Sequence, residues 1–121
     1  MESLLFLILC LVIIGQNDDG VNVTIEIHAP TTDDSATIYV TGNNPQMGNW
    51  QPDKVLLQNI GNHLWRKSFR FEKGTVLEYK VTQGSFDNEA ADDKGRPFQN
   101  SVLAVNNDTT ARTSDQGHFS G

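Results

Sequence analysis

At 121 residues, with 37% hydrophobic and 20% charged side chains, the chain suffices for one folded domain and is too short for two. Fifteen acidic against nine basic residues give a formal charge of −6, which argues against the clustered basic face that nucleic acid or an anionic membrane surface requires. The one cysteine, Cys10, excludes an intramolecular disulfide and a thiolate zinc site.

Residues 4–14 form an almost unbroken apolar run. A bilayer-spanning helix needs about 20 residues, so this run is too short to span and suits the apolar stretch of a secretory signal. The expected organisation is therefore a signal peptide over 1–15 and a polar linker over 16–20, implying a secreted or extracytoplasmic protein with no membrane attachment once the leader is removed. The leader lacks Lys or Arg before its apolar run, and Leu9 is too large to precede a lipidated Cys10. A buried N-terminal strand is the remaining alternative for this segment.

From Gly20 the pattern has period two. Val21, Val23, Ile25 and Ile27 alternate with polar residues, as in a half-buried strand. A turn cluster over 30–35 precedes a second strand, with Ala36, Ile38 and Val40 on one face. Residues 42–53 read as a long polar loop holding Trp50, and 54–58 as a short third strand. After a turn at Gly61-Asn62, Trp65, Lys67, Phe69 and Phe71 share one face of a fourth strand. Leu77, Tyr79 and Val81 define a fifth, with Tyr79 in the core and Lys80 on the opposite face. A second long loop, acidic and irregular, covers 84–101 and holds Phe86. A sixth strand covers 102–105, and Asn106-Asn107-Asp108 is a turn. The seventh, Thr109 to Thr113, is weakly strand-like, so the last strand is expected to be weak or missing, or the chain to be a fragment of a longer protein.

No segment after residue 20 has helical periodicity. Short strands at this spacing predict an all-β, antiparallel sandwich or barrel over 21–110, followed by a polar tail over 111–121. Unstructured loops longer than about 12 residues are uncommon and often functional. The two long loops, each with an aromatic, are where a site is expected.

No catalytic motif is present: Gly-x-Ser-x-Gly is absent and the cysteine lies in the leader, so the chain is not expected to be an enzyme. His28, His63 and His118 lack metal-ligand spacing. Asp33-Asp34 and Asp92-Asp93 lack the alternation of a calcium loop and read as solvated turns, so no metal or cofactor is expected. Asn22-Val23-Thr24 and Asn107-Asp108-Thr109 are glycosylation triplets, meaningful only in a eukaryotic secretory pathway.

The order Tyr39-Val40-Thr41-Gly42, then Met47-Gly48-Asn49-Trp50, Leu77-Glu78-Tyr79-Lys80, Gly84-Ser85-Phe86 and Asn100 resembles the starch-binding domain, carbohydrate-binding module family 20. The resemblance covers about 21–110 and implies an immunoglobulin-like β-sandwich of six to seven strands. It implies a non-catalytic module that binds starch, glycogen or another α-1,4-glucan. The family's first glucan site maps onto Trp50, Lys80, Phe86 and Asn100, with Phe86 standing where the family has Trp and Ser101 where it has Arg. Its second site relies on loop tyrosines, and with only Tyr39 and Tyr79, both on strands, that site is expected to be absent. In the family the module is normally attached to an enzyme, so a C-terminal enzyme domain is an expected partner.

The chemistry of a sugar suits these residues. A pyranose has an apolar C–H face and a rim of hydroxyls, which calls for half-wet aromatic platforms and edge donors and acceptors. Plainer readings stand beside these. Trp50 would cap the end of the sandwich, Phe86 would anchor its loop, Lys80 would be a solvated charge, and Asn100 would hold its own loop. The chain would then be a structural or protein-contact module that has lost glucan affinity.

Overall fold

The computed structural model describes residues 19–88 and 100–114. The leader at 1–15, most of the linker, the heart of the second loop with Asp92-Asp93, and the end of the tail with His118 and Phe119 lie outside these residues.

Eight strands are described: β1 (Gly20–His28), β2 (Tyr39–Gly42), β3 (Val55–Leu56), β4 (Gln58–Gly61), β5 (Leu64–Glu72), β6 (Val76–Thr82), β7 (Ser101–Ala104) and β8 (Thr109–Ser114). They form two four-stranded sheets, ordered β4-β5-β1-β8 and β3-β2-β6-β7. The only helical segments among the described residues are two 3-10 turns, Pro45–Trp50 and Phe86–Asn88. The β-sandwich expected from the strand spacing is the fold observed.

Period-two alternation builds the core. Val23, Ile25 and Ile27 of β1 are at most 1% exposed, and β5 adds Trp65, Phe69 and Phe71 from the same sheet. Val40, Leu77, Tyr79 and Val81 face them from the other sheet. Trp65 is fully buried, and its indole N–H donates to Ala36 O at 3.0 Å, so the large ring brings no unpaired donor into the core. Phe69 and Phe71 stack with centroids 5.5 Å apart. Lys67 shares their side of the strand yet stays exposed, its Nζ 5.6 Å from the Phe69 ring centre, so a long stem lets the charge reach water.

Three elements differ from the expectation. The third strand is two: Leu57, 4% exposed, enters the core, and there the chain leaves one sheet (β3 on β2) for the other (β4 on β5). The β4–β5 turn is centred one residue later, on Asn62 and His63, both with positive φ (57° and 60°), which is the two-residue hairpin geometry that matches strand twist. The last strand forms, and it runs parallel to β1 in an otherwise antiparallel sandwich.

That last strand lacks apolar alternation because it sits at a sheet edge. Its inward positions, Thr109, Ala111 and Thr113, need only be small, and Ala111 packs against the core. Ladder bonds to β1, the Arg112–Glu26 ion pair at 3.5 Å and the Asn22 N–H donating to Asp108 Oδ1 at 2.9 Å hold it instead.

Candidate carbohydrate-binding site

The loop after β2 begins at a close approach. A Cβ on Gly42 would lie 2.6 Å from Glu78 O, so no larger residue fits there without a shift. Asn43 then extends β2 with its side chain: its Oδ1 accepts from Glu78 N–H at 3.1 Å, and its backbone N–H donates to Glu78 O at 3.0 Å. Asn44 caps the 3-10 turn, accepting from Gln46 N–H at its Oδ1 (2.9 Å) and from Met47 and Asn49 N–H at its carbonyl (2.8 and 3.2 Å). Met47 is fully buried and anchors the turn in the core.

The chain then makes three consecutive left-handed residues: Gly48 (φ 77°), Asn49 (φ 50°) and Trp50 (φ 67°). Glycine and asparagine tolerate this region, but a bulky aromatic there is a genuine outlier, costing roughly 1–2 kcal/mol. Gln51 N–H donating to Gly48 O at 3.0 Å closes the turn and helps offset that cost. Trp50 is left half-buried, neither in the core nor free in solvent.

The other residues lie on or beside the outer face of the second sheet. Leu77, Tyr79 and Val81 point inward, so Glu78, Lys80 and Thr82 point outward. β2 sets Thr41 opposite Lys80 on one side. On the other, the Tyr79–Ser101 register brings Asn100 up beside Lys80. Asn100 Nδ2 donates to Glu78 Oε1 at 2.8 Å, which fixes the amide orientation; its Oδ1 is buried without a partner among the described residues. Ser101, where the family has Arg, points inward to bond the Tyr79 hydroxyl. Burial pushes the Tyr79 phenol above its ordinary pKa and the Ser101 bond opposes this, as befits a core tyrosine.

Thr82 joins the two long loops. It is fully buried although it points outward, because the loop after β2 covers it. Its hydroxyl donates to Pro52 O at 2.7 Å and accepts from Gly84 N–H at 3.1 Å. Pro52 lies two residues after Trp50, and Gly84 two residues before Phe86. One hydroxyl thus sets the two aromatic loops against each other, and Phe86, 45% exposed, stands at the start of the second 3-10 turn. Thr82→Val keeps the shape and removes both bonds, and is expected to cost about 1–3 kcal/mol of stability in urea denaturation; a loss below that range would mean the bridge holds nothing.

Of the residues singled out from sequence, Lys80 and Asn100 are neighbours on one face, and Trp50 and Phe86 are on loops tied through Thr82. Sequence reasoning missed Thr82, Glu78 and Asn44 as supports. Asn44-Pro45 is a recognisable turn starter, whereas nothing in a strand threonine marks the loop that will fold over it. Among the described residues no cluster of His, Cys, Asp or Glu is placed to hold a metal, and no helix is long and apolar enough to cross a membrane.

Comparison with known proteins agrees with this geometry. Residues 20–114 match the family model described as starch binding domain. Glucoamylase-1 of Schizophyllum commune is 37% identical over 67 residues, 54% of this chain and 12% of that protein, so the chain spans about an eighth of this relative. The glycoside hydrolase family 15 glucoamylase of Hypocrea jecorina superposes with a TM-score of 0.60 at 25% identity, over 86% of this chain and 18% of that one. The family 20 carbohydrate-binding module of a maltotetraose-forming amylase from Pseudomonas saccharophila shares the fold, with a TM-score of 0.59 at 21% identity over 78% of this chain and 99% of that one. The match over residues 20–114, on a sandwich whose two aromatic loops meet beside Lys80, makes this chain a member of the starch binding domain family of carbohydrate-binding modules.

Proposed function

We propose that this domain binds starch, glycogen or a related α-1,4-glucan without chemistry, by stacking sugar rings on Trp50 and Phe86 while Lys80 and Asn100 meet the hydroxyl rim. The observation that carries this reading is the backbone of Trp50. A tryptophan in left-handed conformation, half-exposed, is strain that the fold maintains through Asn44, Met47 and Gln51, and such strain concentrates at ligand clamps. The near-neutral surroundings, with Lys80 beside Glu78 on one strand, suit an uncharged polysaccharide.

Each contact has a physical task. An indole presents the widest flat apolar area to a C–H face and keeps an N–H for the rim. Lys80 offers three donors. Asn100 spends its amide N–H on Glu78, which leaves its carbonyl as the acceptor side. The apolar run at 4–14 favours export, and the much greater length of the curated relative favours a role beside an attached C-terminal enzyme domain.

The second reading, a structural or protein-contact module, draws on the same Asn100–Glu78 bond, which also serves simply to hold the loop. Phe86→Trp separates the two. As a platform the larger ring is expected to tighten maltoheptaose binding about threefold in calorimetric titration. Unchanged affinity would make Phe86 a loop anchor, and a parent that binds no glucan while folded would favour the protein-contact module.

A further inference from the structure

The two outer faces of the sandwich differ in chemistry. On the β4-β5-β1-β8 sheet, the outward positions include Asn22, Thr24, Glu26, Arg66, Arg70 and Arg112, all polar or charged. Among the described residues, four large apolar side chains are exposed: Leu56 (53%), Val76 (58%), Phe86 (45%) and Val102 (68%). All four belong to the other side. Leu56 pairs with Tyr39, which pairs with the outward Thr82; Val102 pairs with the outward Glu78; Val76 is outward on β6, opposite Ala104. Phe86 follows β6 directly.

This distribution does not come from a shortage of polar residues, since the opposite face has them in every row. Nor is it a set of scattered exposures, which a surface tolerates without explanation. The strip runs from Lys80 to Val76, about 13 Å along β6, and crosses from β3 at one edge to β7 at the other. A ring stacked on Trp50 and reaching Lys80 leaves Val76 and Val102 uncovered.

We infer that the whole outer face of the β3-β2-β6-β7 sheet is a contact surface for particulate α-glucan, with Val76, Val102 and Leu56 docking chains that neighbour the one held at Trp50. This rests on the glucan-binding reading and deepens it, naming an insoluble, many-chain substrate. Three observations favour that occupant. The strip is continuous with the candidate site through Glu78 and Lys80. Its two charges along β6, Glu78 and Lys80, are opposite and adjacent, so the face has no net sign to select a charged partner. Its apolar groups are mostly low branched aliphatics on a flat ladder, which suit stacked C–H faces over an extended surface.

The test compares two probes on the full chain: adsorption to granular starch and calorimetric titration with maltoheptaose. Val76→Thr combined with Val102→Thr keeps shape and strand preference while removing the apolar surface. The expected result is adsorption weakened about fivefold, with maltoheptaose affinity and melting temperature unchanged. Equal adsorption of parent and variant would overturn the inference while leaving the Trp50 site standing. A parent that takes up neither probe would overturn both readings. A parent dimer in sedimentation that dissociates in the variant would assign the face to a second copy of the chain and overturn the inference.

Discussion

Trp50→Ala is expected to lower affinity for maltoheptaose at least tenfold, a loss of about 2 kcal/mol or more of the kind seen when a central aromatic anchor is truncated. The platform is large, half-exposed and fixed before the ligand arrives, so it carries little ordering cost. Stability responds differently. Alanine at a φ of 67° retains the left-handed penalty, whereas glycine removes it. Trp50→Gly is therefore expected to lose binding as fully as Trp50→Ala and to unfold about 1 kcal/mol later. If the tryptophan instead caps the core, both variants lose several degrees of melting temperature alongside any change in binding, and glycine gains nothing over alanine.

Trp65→Ala is expected to have the largest effect on folding. The ring is fully buried between the sheets, and its removal costs about 3–5 kcal/mol in lost contacts and residual cavity. The carbonyl of Ala36 also loses its donor. Against a total stability of about 5–15 kcal/mol for a domain, this lowers the melting temperature by on the order of 20 °C, read by circular dichroism. Trp65→Phe retains most of the volume and should recover more than half of that loss. The two tryptophans thus separate cleanly: one change removes binding from a folded domain, the other removes the fold.

Where side-chain periodicity set the structure, the sequence was legible. β1, β5 and β6 alternate cleanly because each has one face on the core, and their registers follow from it. β8 was obscure because an edge strand held by its ladder and an ion pair needs no large inward residue. The split at Leu57 was obscure for another reason. A residue that leaves one sheet and enters the next keeps the alternation of a single strand, and only the pairing partners reveal the change.

The candidate site divides in the same way. Trp50, Lys80, Phe86 and Asn100 were nameable because a motif order pointed to them. Their supports were not, because they work through contacts between distant segments: Thr82 reaches loops that start 30 residues before it and two after. Glu78 likewise pairs with Asn100 across 22 residues. The left-handed conformation of Trp50 belongs to the same class, since glycine at 48 hints at a turn but nothing local says that the aromatic two residues on shares its conformation.

The most direct measurement follows the two indole N–H resonances by NMR while maltoheptaose is added, since the chain has only Trp50 and Trp65. The indole of Trp65 is buried and bonded to Ala36 O, so it serves as an internal control. The account predicts that the Trp50 signal, identified by its absence from Trp50→Ala, shifts with saturation while the Trp65 signal stays in place. Binding by calorimetry with a motionless Trp50 indole, or no binding by a folded chain, would contradict it.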